Sequence, residues 1–273
     1  MPITIIHCWS SPRSRSTALL YSFEARDDGQ TVALDEPLYR RWLSAAGSVG
    51  ISRPYADPFL QGVAPLDGSD DDNAWRWERE KQCFNERIYH AVNSFLEKGL
   101  QDGCVFNKQM AKFAHLFDFD TNWETESDDN ARQWKERCLQ LLSDRKIELK
   151  HRHLLLIRDP ISVLSSWMGK SGDVHGNNPH PDEVGITQLF DVYSKIVGAS
   201  MNRSSEEGDL IVIDSDDLAD NPRKVLQELC SSFHIEYNDS MLKWSAGPHN
   251  CDGPWGKFIA IANYLLVGDS TSA

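Results

Sequence analysis

The 273 residues include 41 acidic and 28 basic side chains, a formal net charge of −13, with 40% hydrophobic and 25% charged residues. This is enough apolar material for a sizeable core. The negative balance excludes a surface built to hold nucleic acid, heparin-like polymers or anionic lipid, because those partners require a basic field. Cys8, Cys83, Cys104, Cys138, Cys230 and Cys251 are scattered with no CxxC pair. They read as free thiols in a reducing compartment, without the clustered ligands zinc needs. No basic-then-apolar leader opens the chain, and no stretch approaches the roughly 20 apolar residues of a membrane helix. The expectation is a soluble, cytoplasmic protein that binds no metal.

In chain order, Ile3–Trp9 is a short β-branched run bounded by Ser10-Ser11-Pro12, the pattern of a buried strand. Ser16 or Thr17 is placed to cap a helix carrying Leu19, Leu20 and Phe23. Thr31–Leu34 reads as a second strand, with Glu36-Pro37 at its end and a helix from Leu38 onward. Residues 47–73 are rich in Gly, Pro and Asp and read as a surface excursion, and residues 75–96 as a long amphipathic helix. Cys104-Val105-Phe106 is a short strand predicted to end at Asn107-Lys108, and the acidic stretch 118–129 is turn-rich. A helix around Trp134–Leu142 precedes the clearest buried strand, His153–Ile157, which Arg158-Asp159-Pro160 ends; Pro160 suits the first turn of the next helix. Residues 169–183 are predicted as a long loop, Leu210–Ile213 as a last strand, and Pro222 as the start of a helix to about Phe233. Strands alternating with helices imply a parallel sheet covered on both faces, and the simplest arrangement is one α/β domain over residues 1–273 with inserted helices.

The first strand, the polar loop Ser10–Thr17 and the following helix start form an anion site. First-turn amides carry partial positive charge, Ser14, Ser16 and Thr17 add hydroxyls, and Arg13 adds a guanidinium. A capped turn with exposed arginines has the same pattern, so the loop alone leaves both readings open. GxxxxGK[ST] is absent, since the loop has neither glycine nor lysine.

Pro12-Arg13-Ser14-Arg15-Ser16-Thr17 resembles the loop by which the PAPS-dependent sulfotransferase family grips the 5′-phosphosulfate of 3′-phosphoadenosine 5′-phosphosulfate (PAPS), with Arg15 where glycine is usual. Arg158 with Ser166 eight positions on is similar to that family's 3′-phosphate site. Val212–Leu218 with Asn221-Pro222, and Cys251–Phe258, resemble two further motifs of the family. In the second of these, Gly256 separates Trp255 from Lys257. Asp35–Tyr39, Lys108–Lys112 and Ser240–Trp244 bring the chain nearest to the branch that includes the sulfotransferase-like domain of plant branched-chain aminotransferase-like proteins.

The resemblance implies a P-loop-type three-layer sandwich and a cofactor set of Ser11, Pro12, Arg13, Ser14, Arg15, Ser16, Thr17, Arg158, Ser166, Trp255 and Lys257, holding PAPS before transfer and PAP after it. It implies that Arg13 and Lys108 stabilise charge on the bridging oxygen. Met110 occupies the place of the family's usual histidine, so Glu36 becomes the candidate base, with His115 in reserve. His175 and His180 are candidates for the acceptor site. The implied reaction is sulfuryl transfer to a hydroxyl or amine of a soluble small molecule, neutral or cationic rather than polyanionic, as in natural-product tailoring. An ATP-dependent P-loop kinase and a non-catalytic nucleotide-binding module are the alternatives.

Overall fold

The computed structural model describes residues 2–26, 28–46, 79, 81–125, 129–175, 184–201, 210–245, 247 and 249–253. Its centre is a five-stranded, wholly parallel sheet. Strand β1 (Ile3–Ser10) lies in the middle, between β3 (Gly103–Met110) and β6 (Leu149–Ile157). Outside them run β2 (Thr31–Asp35) beside β3 and β7 (Leu210–Asp214) beside β6. A two-stranded antiparallel ribbon, β4 (Phe117–Asp118) with β5 (Trp123–Glu124), lies at the start of the stretch 118–129 expected to be turn-rich. All eight residues of β1 are buried, the mark of a central parallel strand covered on both faces.

Alternation along β1 sorts its side chains into two cores. Ile3, Ile5 and Trp9 join one, with Trp42 of α2 (Tyr39–Ala46), Ile88 and Phe95 of α3 (Phe84–Glu97), Leu142 of α4 (Asp129–Arg145) and Val192 of α6 (Ile186–Met201). Ile6 and Cys8 join the other, with Leu19 and Phe23 of α1 (Ser16–Glu24), Leu218 of α7 (Ser215–Asp220) and Leu226 of α8 (Pro222–Ser232). The result is a three-layer α/β sandwich of P-loop type with inserted helices. The sequence order of the strands reverses beside β1, and in such sheets ligands bind outside the carboxyl ends of the strands at that point.

Four expectations are corrected. Strand β3 does not stop at Asn107-Lys108 but runs to Met110, because its polar residues find buried partners instead of turning to water. Helix α5 (Pro160–His175) passes through Gly169 and Gly172, where a loop was expected, since glycine in a helix costs only about 1 kcal/mol and does not forbid it. The N-cap of α1 is Arg15, and no side chain caps that end, so neither Ser16 nor Thr17 takes that role. Strand β6 begins four residues earlier than expected, at Leu149. Trp255, Lys257 and His180 lie outside the described residues, as do residues 47–78, and nothing is described of the His175 side chain.

Candidate functional site

The loop after β1 turns tightly enough that Arg13 and Arg15 both take positive φ, 65° and 62°. This left-handed region is uncommon for residues with a Cβ. Glycine would enter it without strain; here arginine does so, and its side chain is tied down. The Arg15 guanidinium donates to Ser215 O at 2.9 Å and pairs with the Asp216 carboxylate. Arg15 therefore anchors the loop to the start of α7. Ser14 Oγ closes the turn by donating to Ser11 O at 2.6 Å, and Ser10, Ser11, Ser14 and Ser16 are all buried. Pro12 and Thr17 are part-exposed. Of the first-turn amides of α1, that of Ala18 donates to Arg15 O at 3.0 Å, and those of Ser16 and Thr17 are the natural donors to an anion.

The second anion motif meets the first. Arg158, just past β6, donates from Nη1 to Arg13 O at 2.7 Å, and Arg13 Nε donates to Ser166 Oγ of α5 at 3.2 Å. Arg158 Nε is buried, has no hydrogen-bond partner among the described residues and lies 3.9 Å from Asp216 Oδ1. A buried guanidinium nitrogen with spare donor capacity, beside a second guanidinium and serine hydroxyls, has the chemistry of a phosphate or sulfate site.

On the opposite side of β1, Lys108 is directly across the sheet from Asp35. Its Nζ donates to Asp35 Oδ1 at 2.6 Å and to Glu36 Oε1 at 3.0 Å, and all three residues are at most 3% exposed. Glu36 sits in the turn after β2 with φ 46°, its amide held by Lys108 O at 2.9 Å. Strain of this kind collects at functional sites. Burial pushes the Glu36 carboxyl up from its usual range; Lys108 pulls it back and Asp35 adds to the rise. Burial works to lower Lys108, but the two carboxylates outweigh it and hold the ammonium above the ordinary lysine range. His115 stands apart on the 3₁₀ turn Ala111–Leu116, exposed, with Nδ1 against Lys112 O at 3.2 Å and its pKa lowered chiefly by desolvation. Among the described residues no group of His, Cys, Asp and Glu is arranged to hold a metal, and no helix is long and apolar enough to cross a membrane.

The profile of the Sulfotransferase domain family matches residues 3–117 and 147–271. The chain belongs to this family. Two curated relatives from Arabidopsis thaliana are the branched-chain-amino-acid aminotransferase-like proteins 2 and 1. They are 30% identical over 251 residues (92% of this chain) and 28% identical over 270 residues (98% of this chain). The chain spans about a third of the length of these relatives, 34% and 36%. Among solved structures, the sulfotransferase domain from the curacin biosynthetic pathway shares 16% identity at a TM-score of 0.48, over 89% of this chain and 77% of that one.

Within this sulfotransferase domain, Arg13, Arg158 and Ser166 come together in one cluster, and Lys108 and Glu36 in another. Two participants escape sequence reasoning. Asp216 partners Arg15 from 201 residues away, and no local signal marks that pairing. Asp35 takes the shorter of the two Lys108 hydrogen bonds; two adjacent carboxylates ending a strand were the available sign.

Proposed function

We propose that this domain binds PAPS and transfers its sulfuryl group to a hydroxyl or amine of a small soluble acceptor, neutral or cationic. The observation that carries the reading is the pair of hydrogen bonds by which Arg158 and Ser166 meet Arg13, joining motifs about 150 residues apart into one cationic, hydroxyl-bearing cluster at the carboxyl ends of the strands. The donor set fits a doubly phosphorylated nucleotide: the Ser11–Thr17 loop and α1 amides for its 5′ end, Arg158 and Ser166 for its 3′-phosphate. Trp255 and Lys257 complete this set by resemblance. Bound there, PAPS supplies a sulfuryl group activated by a phosphate leaving group.

The chain's own residues divide the remaining work. Lys108 and Arg13 offer positive charge to the oxygen that keeps the electron pair when the sulfur–oxygen bond breaks. Glu36, its carboxyl raised by burial, takes the proton that the acceptor oxygen or nitrogen loses as it bonds to sulfur. Two carboxylates buried beside one lysine make this part of the site net negative, which favours a neutral or cationic acceptor over a sulfated one. Calorimetry with PAP and with adenosine 5′-phosphate tests the cofactor reading. Arg158→Ala should weaken PAP binding about 10- to 100-fold, as loss of a charge-assisted contact worth roughly 1.5–3 kcal/mol implies, and leave adenosine 5′-phosphate nearly unaffected. Equal losses for both overturn the 3′-phosphate assignment. A PAPS screen against a panel of small metabolites, read by mass spectrometry, tests transfer itself.

A further inference from the structure

The carboxylate of Asp35 is divided between two tasks. Oδ1 accepts from Lys108 Nζ at 2.6 Å, and Oδ2 accepts from the Gly253 amide at 3.1 Å. Gly253 comes so close to β2 that a Cβ there would lie 2.7 Å from Asp35 O and 3.1 Å from Oδ2, so only glycine permits the contact. The loop bearing Gly253 is pinned from several directions. Asp252 accepts from Tyr21 OH at 2.6 Å and from His249 N at 2.7 Å. Glu24 accepts from Cys251 N at 2.8 Å and meets His249 Nδ1 at 2.5 Å, while the His249 ring stacks on Tyr21 at 3.9 Å. Arg79 donates to the carbonyls of Asn250 and Asp252. The loop is thus fixed to α1, and Asp35 joins that fixed loop to the lysine.

Glu36 differs from its neighbour. Its contact with Lys108 is the longer one, and its backbone is held in a strained turn. Lys108 therefore has one short contact, to the carboxylate that is also anchored to the loop, and one looser contact, to the carboxylate of the turn. We propose that Asp35 is the positioning residue of the site, holding Lys108 charged and aimed and coupling it to the 249–253 loop, so that Glu36 is left to exchange a proton. This rests on the PAPS-transfer reading for its meaning in catalysis, although the coupling itself is a property of the protein alone. The charged and titratable groups around the trio are Lys112 beside Glu36, Cys8 beside Lys108, and Tyr21, Cys251 and Asp252 beside Asp35.

The test follows the Lys108 titration by NMR with 13Cε-labelled lysine, the resonance assigned by its absence in Lys108→Arg. Asp35→Asn should lower the pH at which Lys108 loses its proton by about 1–3 units, and by more than Glu36→Gln does. A larger shift in Glu36→Gln, or none in Asp35→Asn, overturns the assignment. Amide exchange across residues 249–253 should speed up in Asp35→Ala and hold in Asp35→Asn, which keeps an acceptor oxygen. Unchanged exchange in Asp35→Ala overturns the coupling. If Asp35→Ala does not fold, Gly253→Ala breaks the same contact from the loop side; it must speed exchange and move the Lys108 titration downward, and a fixed titration overturns the proposal. Calorimetry of the wild-type protein with PAP separates the two readings. Absence of PAP binding removes the cofactor assignment and leaves titration and exchange to judge Asp35.

Discussion

Each face of the sheet buries a polar cluster, and the two are held by different physics. On the face of α3 and α6, His7 of β1 contacts His151 and His153 of β6, with ring centroids 5.2 and 5.1 Å away. One set of tautomers serves four hydrogen bonds of the group. Asn107 Nδ2 donates to His7 Nδ1 at 3.2 Å, and His7 Nε2 donates to His151 Nδ1 at 2.9 Å. Trp9 Nε1 donates to His153 Nδ1 at 3.4 Å, and His153 Nε2 donates to Asn122 at 2.9 Å. In that set each imidazole accepts at Nδ1, so the network closes without requiring a charge on any ring. On the face of α1, Lys108, Asp35 and Glu36 are bound by charge. The neutral cluster sits between aromatic rings inside the strands, and the charged one lies where β2 and β3 approach their carboxyl ends. A neutral network can be closed within the fold. Two carboxylates sharing one ammonium leave negative charge over, and perturbed buried charges of this kind cluster at functional sites.

Breaking the charged cluster should have the largest effect. Lys108→Met leaves two buried carboxylates facing each other, a loss of about 3–5 kcal/mol at pH 8. Without the ammonium nothing offsets the burial that already raises the Glu36 carboxyl, so the folded state binds more protons and the variant regains stability as pH falls towards the ordinary carboxyl range. Urea unfolding at pH 8 and pH 5.5 measures the recovery. Turnover of PAPS should fall about 10²- to 10³-fold, the scale for removing one electrostatic stabiliser. A variant as stable as wild type at pH 8 would mean that the pair is not mutually neutralising in the folded protein.

The histidine face should respond to acid with the opposite sign and a smaller amplitude. Burial, followed by the neighbouring imidazoles His153 and His151, keeps His7 well below the usual histidine range. The unfolded chain takes up this proton near pH 6.5 while the folded chain refuses it, so stability declines below that pH by up to about 1.4 kcal/mol per unit for this one group. His7→Gln removes the group and should flatten that part of the slope between pH 6.5 and pH 5, at the expense of some stability at pH 7.5. Urea midpoints at three pH values decide it, and an unchanged slope would mean that His7 is not the source of the acid sensitivity.

The sequence makes the two clusters unequally legible. Apolar β-branched runs mark β1, β6 and β7 plainly, and the Pro12–Thr17 and Arg158–Ser166 motifs locate the anion cluster because they are local in sequence. Asn107-Lys108-Gln109 reads as the end of a strand because three polar residues in a row look solvated. Their partners, His7, Asp35 and one another, are brought in by the register of neighbouring strands. The histidine network is invisible for the same reason, since His7 and His151 are 144 residues apart. Helix α5 reads too short in the sequence because the Gly-, Asn- and Pro-rich stretch 169–183 looks like a loop, whereas glycine in a helix exerts only a penalty.

The smallest effect is expected at Arg15, which belongs to neither cluster and borders the group formed by Arg13, Arg158 and Ser166. Replacing it with glycine relieves a left-handed backbone, worth about 1–2 kcal/mol for a residue with a Cβ, and gives part of that back as unfolded-chain entropy. It also removes the pair with Asp216, whose members are 35% and 50% exposed; a pair that open to solvent contributes at most about 1 kcal/mol. The two terms nearly cancel, so Arg15→Gly should change stability by less than about 1 kcal/mol. Its affinity for PAP should move by less than about threefold, because the guanidinium already points to Ser215 and Asp216. The sharper outcome is the other one. A tenfold loss of PAP affinity would show that Arg15 leaves Asp216 when the nucleotide arrives, releasing that carboxylate to the Arg158 Nε now 3.9 Å away. Calorimetry on Arg15→Gly, Asp216→Asn and the double variant separates the two: an anchor is broken equally by either single change, so the double variant is no worse than a single one, whereas a guanidinium that moves to the nucleotide costs affinity in Arg15→Gly and not in Asp216→Asn.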